Sequence, residues 1–363
     1  MMEKVKISSL QMAMLMYPTI LATAILSVPS ITANFAKQDL WLSPIIASTI
    51  GFVTMLVAYK LHKLFPGKTI IEFNEIIIGK VPGKIVSIIF ILFYMQTSGL
   101  IIRDYGEFIV SSFLYKTPLI VIMSSMVALC AFMVHAGLEA LSRVGQILFP
   151  LFILPFFFLI LLLSPFFEVG NILPILEKGI MPPLKGAYPL SGWFTEVFII
   201  IFLLPYLTDK QKGLKYGMLS ILGVMITLVL VNLTVLFVLG LTTSSKQYPL
   251  MNVSRYISYA DFFENLDSIT MAVWILGAFI KISVFYYAVV LGTAQLLNLT
   301  DYRPFVWPIG ILLIELSYWS MPNMIYFNEH SKTYFSLYAA AIQTMLPILL
   351  LTVAFIRKKH KGS

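Results

Sequence analysis

Two ionisable residues lie deep inside long apolar runs of this sequence. Glu196 is followed by VFIIIFLLPYL, and Lys281 lies within WILGAFIKISVFYYAVVLG. A charge at the centre of a bilayer costs about 2.5–3.5 kcal/mol on insertion scales unless it is paired or hydrated. We therefore expect Lys281 and Glu196 to form an internal ion pair or to share a hydrated cavity with a ligand. A structural hydrogen bond to a neighbouring helix is the alternative for Glu196, and Glu315 is the other acid within an apolar run.

The helical face around Lys281 carries small residues. Residues Gly277, Ala288, Gly292 and Gln295 fall close to the same face at spacings of three, four or seven. Small residues let membrane helices approach one another closely. Lys281 also lies too far from either end of its run for its stem to reach water. Its side chain is therefore predicted to point into a helix bundle.

The first apolar run contains small and hydroxyl residues in its middle. Ala22, Thr23, Ala24 and Ser27 precede Pro29, which removes a backbone donor and clashes with the preceding turn. Backbone groups freed inside a membrane must face a cavity or a ligand. The run therefore predicts an interrupted helix of the kind that forms transporter binding sites. A simple proline kink is the alternative.

The run that contains Glu196 has comparable irregularities. Small residues and prolines occur at Gly186, Pro189, Ser191, Gly192 and Pro205. If the chain consists of two inverted halves of five spans, the first and sixth spans are corresponding members. Irregular backbone in both would then enclose one chamber halfway through the bilayer.

The third apolar run has polar residues at two levels. Near its middle lie Tyr94, Gln96, Thr97 and Ser98. These residues either line a polar cavity or form hydrogen bonds between helices. At its end lie Arg103, Asp104 and Glu107. This second set is expected to be a solvated mouth.

Enzyme motifs and metal sites are not predicted. The four histidines are scattered, and the sequence contains no HExxH, phosphate-binding glycine loop or GxSxG motif. The single cysteine, Cys130, lies in an apolar run, which excludes a disulfide framework or a cysteine-based zinc site and indicates a buried structural thiol. We expect no metal and no cofactor.

The composition is that of a membrane protein. The 363 residues are 59% hydrophobic and 12% charged, against about a quarter charged in soluble domains. Because hydrocarbon forces the backbone to satisfy its own hydrogen bonds, apolar runs of this length are helices. Ten spans are predicted, at 10–34, 40–59, 84–102, 118–134, 144–164, 188–207, 214–241, 269–299, 304–321 and 334–356. They form a single polytopic membrane domain over 1–363, and the first span is expected to be retained.

The basic residues indicate the orientation of the spans. If the N-terminus is cytoplasmic, 16 of the 25 lysines and arginines fall on the cytoplasmic side and 8 outside, with Lys281 within a span. The positive-inside rule therefore predicts that both termini are cytoplasmic. This placement explains the net charge of +8 without nucleic acid. Trp193, Trp307 and Trp319 lie near span ends and fit the aromatic belts of membrane proteins.

Three strings of this sequence resemble one known family. They are KISSLQMAMLMYPTILATAILSVPS near the N-terminus, SGWFTEVFIIIFLLPYL in the middle, and WILGAFIKISVFYYAVVLGTAQLLNL in the eighth span. Together they resemble the B subunit of the Ger-type nutrient germinant receptors of endospore-forming bacteria, over nearly the whole chain. Ala22 and Ala24 stand where glycine would be expected.

The resemblance implies membership of the amino acid/polyamine/organocation transporter superfamily. The expected fold is an all-α membrane protein of about ten transmembrane helices, with a LeuT-like 5+5 inverted repeat. The expected role is that of a nutrient sensor in the spore inner membrane, acting with a membrane-embedded A subunit and a lipoprotein C subunit. The ligand, an amino acid or similar small nutrient, would lie between spans one, three, six and eight.

The candidate ligand-binding residues come from these four spans. They are Ala22, Thr23, Ala24, Ser27, Tyr94, Gln96, Ser98, Glu196, Ile200, Lys281 and Phe285. Two other functions stay open at this point. A proton-coupled amino-acid transporter would use the same spans and the same two charges, and a structural scaffold for partner subunits would leave the pocket without a role.

Overall fold

Helices make up nearly all of the regular structure in the computed structural model, which describes residues 6–255, 258–259, 263–264, 266–319 and 333–361. Side chains are described over 6–255, 266–319 and 333–357. The α-helices are α1 Ser9–Ala36, α2 Leu42–Leu64, α3 Ile70–Ile78, α4 Lys80–Ser112, α5 Leu119–Ala136, α6 Leu138–Leu163, α7 Met181–Thr195, α8 Gly213–Leu239, α9 Pro249–Ser254, α10 Asp267–Leu296, α11 Val306–Trp319, α12 Phe335–Ala340 and α13 Leu346–Lys361.

Shorter elements complete the order. Two 3₁₀ segments, Glu196–Phe202 and Leu204–Tyr206, follow α7, and a π-helical turn, Ala341–Met345, joins α12 to α13. Strands β1 Ser258–Tyr259 and β2 Phe263–Glu264 pair antiparallel. The remaining 3₁₀ turns are Lys37–Asp39, Ser164–Phe166, Val169–Ile172, Lys210–Lys212, Gly240–Ser245 and Arg303–Phe305.

Eight helical segments in the described part of the chain are long and apolar enough to cross a membrane. They correspond to eight of the ten predicted spans. The sixth predicted span, 188–207, is broken, because its α-helix ends at Thr195 and continues as 3₁₀ helix. The ninth, 304–321, is described only as far as Trp319, and residues 320–321 lie outside the described residues.

Helices α1 and α10 lie at the centre of the bundle. In each of them 83% of the most apolar stretch is buried, against 22% in α6. Helix α1 packs against α7, α8 and α10, and α10 packs against α4. Polar side chains on the inward faces of these helices therefore lie far from solvent.

The predicted interruption of α1 is wrong, because Ser9–Ala36 is one continuous α-helix with Pro29 inside it. Alanine at 22 and 24 favours helical backbone where glycine would loosen it. The Ser27 hydroxyl donates to the backbone carbonyl four residues earlier at 3.0 Å, which supports the turn just before the proline. The alternative interpretation, a proline accommodated within one helix, is therefore the correct one.

Helices α1, α6 and α10 approach closely at Gly277. A Cβ atom at this position would lie 2.9 Å from the Ala22 Cβ and 2.5 Å from the Phe152 Cε2, which is closer than carbon atoms pack. The predicted role of small residues on this face of α10 is therefore confirmed at Gly277.

The start of α1 is tied to the segment after the sixth membrane helix. The Ile7 amide donates to the Tyr206 carbonyl at 3.0 Å, and the Thr208 amide donates to the Ile7 carbonyl at 2.9 Å. The Ser9 amide and hydroxyl both donate to Asp209 Oδ1, at 2.7 and 2.8 Å. Burial alone would raise the pKa of Asp209, but these hydrogen bonds outweigh it and hold the pKa below its usual value.

The short helix α3 lies between the second and third predicted spans. It begins with a capping box formed by Thr69 and Glu72, and its buried apolar residues are Ile70, Ile71, Phe73 and Ile77. Helix α3 packs against α4, α10 and α13, so its apolar face is directed at the bundle.

Candidate functional site

Lys281 and Glu196 form an ion pair in the middle of the bundle. The distance from Lys281 Nζ to Glu196 Oε2 is 2.7 Å, and the two side chains are 0% and 2% exposed. Lys281 Nζ also donates to Thr23 Oγ1 at 2.8 Å. The predicted pairing and the inward direction of Lys281 are therefore confirmed, whereas Glu315 is exposed and takes no part.

The ion pair joins three membrane segments. Thr23 lies on α1, Lys281 on α10, and Glu196 on the first residue of the 3₁₀ segment that follows α7. Such short 3₁₀ stretches within a helix often mark a functional hinge. The irregular backbone predicted for the sixth span is present, but it begins at the buried acid itself and not at Gly186, Pro189, Ser191 or Gly192, which lie inside α7.

Trp193 supports Thr23 from the last turn of α7. Its Nε1 donates to Thr23 Oγ1 at 2.9 Å, so this oxygen accepts one hydrogen bond from Trp193 and one from Lys281. The indole is only 5% exposed. Trp193 is therefore a buried site residue, and the aromatic-belt interpretation of its position near a span end is wrong.

Aromatic rings border the site on the side of α4. The Tyr94 ring lies 5.7 Å from the Phe285 ring and 5.8 Å from the Phe202 ring, both edge-on. Lys281 Nζ lies 5.7 Å from the centre of the Phe285 ring, within the range of a cation–π attraction. These contacts bring spans one, three, six and eight together, as expected.

Gln343 connects the aromatic side of the site to the sixth span. The Tyr94 hydroxyl donates to Gln343 Oε1 at 3.4 Å, and Gln343 Nε2 donates to Thr195 Oγ1 at 3.2 Å. Gln343 is fully buried in the π-helical turn Ala341–Met345. Sequence reasoning missed this residue, although a lone amide inside a predicted span was the available signal.

Three of the predicted site residues do not present a side chain to the site. Gln96 is exposed, because it lies two positions from Tyr94 and therefore about 200° around α4. The hydroxyl of Ser98 donates to the Tyr94 carbonyl at 2.6 Å, and that of Ser27 donates to the Thr23 carbonyl. Both serines bind their own helices.

The apolar candidates all lie in the protein interior. Ala22 packs at the contact with Gly277, and Ala24, Ile200 and Phe285 are fully buried. Their role in ligand binding stays a prediction.

The expected solvated mouth at the end of α4 is wrong. Arg103 is 9% exposed and Asp104 is 7% exposed. Arg103 forms an ion pair at 2.7 Å with Glu107, four residues later on the same helix. The region around Arg103 and Asp104 is enclosed because α9 packs against α10. The Phe108 ring on α4 also contacts Tyr248, next to α9, and Trp274 on α10.

The site offers both partners of a zwitterion. The Lys281 ammonium can donate hydrogen bonds to a ligand carboxylate, and the Glu196 carboxylate can accept them from a ligand ammonium. Within the described ranges, no three histidine, cysteine or acidic side chains come close enough to hold a metal ion. Cys130 is buried and its Sγ lies 3.7 Å from the Phe279 carbonyl oxygen.

Solved structures with the same architecture are transporters. Mhp1, a nucleobase-cation-symport-1 family transporter with bromovinylhydantoin bound, superposes with a TM-score of 0.68 at 10% identity, over 96% of this chain and 78% of that one. MhsT in complex with L-phenylalanine superposes with a TM-score of 0.66 at 12% identity, over 98% and 99%. The predicted all-α, LeuT-like 5+5 fold is therefore confirmed, and the class is that of multi-pass membrane proteins with this fold.

Sequence comparison identifies the family. A family model described as "Spore germination protein" matches residues 6–325. Spore germination protein KB of Bacillus subtilis (strain 168) is 27% identical over 371 residues, which cover 99% of this chain and 97% of that protein. The chain belongs to the spore germination protein family. Its relatives are germination proteins and its structural neighbours are transporters, which points away from an enzyme.

Proposed function

We propose that this chain is a subunit of a nutrient germinant receptor and binds a small nutrient, such as an amino acid, at the Lys281–Glu196 pair. The observation that carries the proposal is a solvent-inaccessible ammonium and carboxylate, 2.7 Å apart, that join three membrane segments. The similarity to spore germination protein KB and the L-phenylalanine complex of MhsT support it.

Ligand binding would exchange the internal ion pair for two pairs with the ligand. The ligand carboxylate would pair with Lys281 and accept a hydrogen bond from Thr23, and the ligand ammonium would pair with Glu196. These residues lie on α1, α10 and the segment after α7. A ligand between them would therefore favour distances between these three segments that differ from those set by the internal ion pair. Binding then shifts the population of bundle arrangements by the difference in affinity between them.

The partners and the location are part of the proposal. The shifted arrangement would be passed to a membrane-embedded A subunit and a lipoprotein C subunit, which together trigger germination. The chain would lie in the spore inner membrane with both termini cytoplasmic, as the distribution of basic residues predicts.

Germination of spores that carry Thr23→Val tests the proposal. Valine keeps the shape of threonine but removes the oxygen that accepts hydrogen bonds from Lys281 and Trp193. We expect a higher nutrient concentration for half-maximal germination across a panel of amino acids and nucleosides. Thr49→Val is the matched control, because Thr49 is exposed and bonds only to its own helix. An unchanged response with normal assembly would contradict the pocket and favour a scaffold.

A proton-coupled amino-acid transporter is the second candidate function. Mhp1, which shares the fold, is a transporter, and a buried acid beside a buried amine can exchange a proton. Uptake of labelled amino acid into vesicles that contain this chain alone distinguishes the two functions. Uptake above that of empty vesicles supports transport, whereas a nutrient-specific germination defect without uptake supports sensing.

A further inference from the structure

A second buried acid lies near the ion pair, towards the start of α10. Asp104 on α4 is 7% exposed and lies within electrostatic range of Lys281. Over the residues with described side chains, no hydrogen-bond donor or cation contacts its carboxylate. Its neighbour Arg103 pairs with Glu107 instead. The proposed function does not use Asp104.

Around Lys281, the residues with described side chains therefore supply one more carboxylate than positive charges. Asp104 and Glu196 supply two carboxylates, and Lys281 supplies one ammonium. The Arg103–Glu107 pair is neutral as a unit. An uncompensated charge in a low-dielectric interior is costly, and a cation beside it removes that cost.

The surroundings of Asp104 suit an organic cation. Phe108 lies four residues after Asp104 and thus on the same face of α4. Its ring centre is 4.3 Å from that of Trp274 and 5.0 Å from that of Tyr248, and Tyr248 lies within electrostatic range of Asp104. Aromatic faces attract ammonium groups within about 6 Å.

Two buried polar groups on α10 lack a partner in the same layer. Trp274 is 1% exposed and Thr270 is 3% exposed, and neither Trp274 Nε1 nor Thr270 Oγ1 has a hydrogen-bond partner among the described residues. They lie four residues apart, on one face of α10, and Trp274 is two turns from Lys281. Leaving a buried donor without an acceptor is unfavourable, and a ligand oxygen near Trp274 would supply the acceptor.

We propose that Asp104, Trp274 and Thr270 form a subsite that binds the ammonium group of an amino compound, with Trp274 Nε1 donating to a neighbouring oxygen of the same molecule. The subsite lies beyond Lys281 towards the start of α10, which is the predicted outer end of the bundle. It goes beyond the proposed function, because an amino acid whose single ammonium pairs with Glu196 cannot fill this subsite at the same time.

Binding of amino-acid amides to the purified full-length chain tests the subsite. The amides of alanine, valine and phenylalanine carry an ammonium and a carbonyl oxygen but no carboxylate, so they depend little on Lys281. We expect them to raise the melting temperature of the detergent-solubilised protein. Propionamide, which has no amine, should have no effect.

Variants at position 104 give the decisive comparison. Asp104→Asn should weaken amide binding about 10- to 100-fold, as expected for loss of a hydrogen bond to a charged group. Asp104→Glu should restore part of the affinity, and Glu139→Gln, an exposed acid elsewhere, should leave it unchanged. If Asp104→Asn does not fold, Trp274→Phe serves instead, because it keeps an aromatic ring and removes the Nε1 donor.

Several results would overturn the subsite. They are the absence of any shift with the three amides, equal affinity in wild type and Asp104→Asn, or an equal shift with potassium or sodium chloride, which would indicate an inorganic cation. Failure of the proposed function looks different: Thr23→Val spores germinate normally even if the amides bind. The two ideas can therefore fail separately.

Discussion

Replacing Lys281 by methionine, or Glu196 by glutamine, should strongly destabilise the protein, whereas replacing both should not. The side chains are 0% and 2% exposed and 2.7 Å apart, so each single change leaves a buried charge without its partner. Breaking a buried pair in this way costs about 3–5 kcal/mol. The double variant has no charge to bury and keeps similar side-chain volumes, so its cost should lie well below the sum of the two.

A double-mutant cycle measures the free energy of interaction between the Lys281 and Glu196 side chains. We expect a coupling free energy of about 3 kcal/mol, from the melting temperature and folded yield of the three variants in detergent. The matched control is the Arg143–Glu139 pair, which has the i,i+4 spacing and is 69% and 44% exposed. Its coupling should be about 0.5 kcal/mol or less. Additive effects at 281 and 196 would refute the reasoning, because they mean that neither charge depends on the other.

Three further predictions concern residues around the site. Asp209→Asn should weaken the attachment of the start of α1. Hydrogen bonds from Ser9 lower the pKa of Asp209. The wild-type protein should therefore be more stable than the variant at neutral pH, and this advantage should be lost below about pH 4. Melting curves of both proteins over pH check this, and a pH-independent difference contradicts it. Gln343→Leu should lower the free energy of unfolding by about 1–3 kcal/mol, since it leaves the buried Tyr94 hydroxyl without its acceptor. Adding Tyr94→Phe should then have little further effect on the melting temperature. Gly277→Val should cost about 1–3 kcal/mol by overpacking against α1 and α6, and an unchanged melting temperature would show that these helices can move apart.

Sequence reasoning located the central ion pair because the cost of a buried charge is independent of the details of packing. Any arrangement of ten spans must compensate Lys281 and Glu196, and each is the natural partner of the other. Reasoning from residue type failed at Trp193 and Asp104. Both types are common at the membrane boundary, and only their burial, 5% and 7% exposed, distinguishes them from boundary residues.

Backbone irregularity was predicted correctly in one helix and incorrectly in the other. Proline and small residues permit a break but do not require one. In α1 the helix continues through Pro29, because alanines favour the helix and a serine hydroxyl supports the turn before the proline. In the sixth span the α-helix gives way to 3₁₀ helix at Glu196, whose carboxylate is held by Lys281 from another helix.

The sequence by itself determined that this is a multi-span membrane protein with two charges at depth, since span length and desolvation cost are properties of each segment alone. Only the tertiary structure decided which polar side chains meet. Each helix can be rotated about its axis, and a shift of two residues moves a side chain by about 200°. That rotation turned Tyr94 towards the site and Gln96 away from it. It is set by the packing of neighbouring helices, such as the close contact at Gly277, which no single segment specifies.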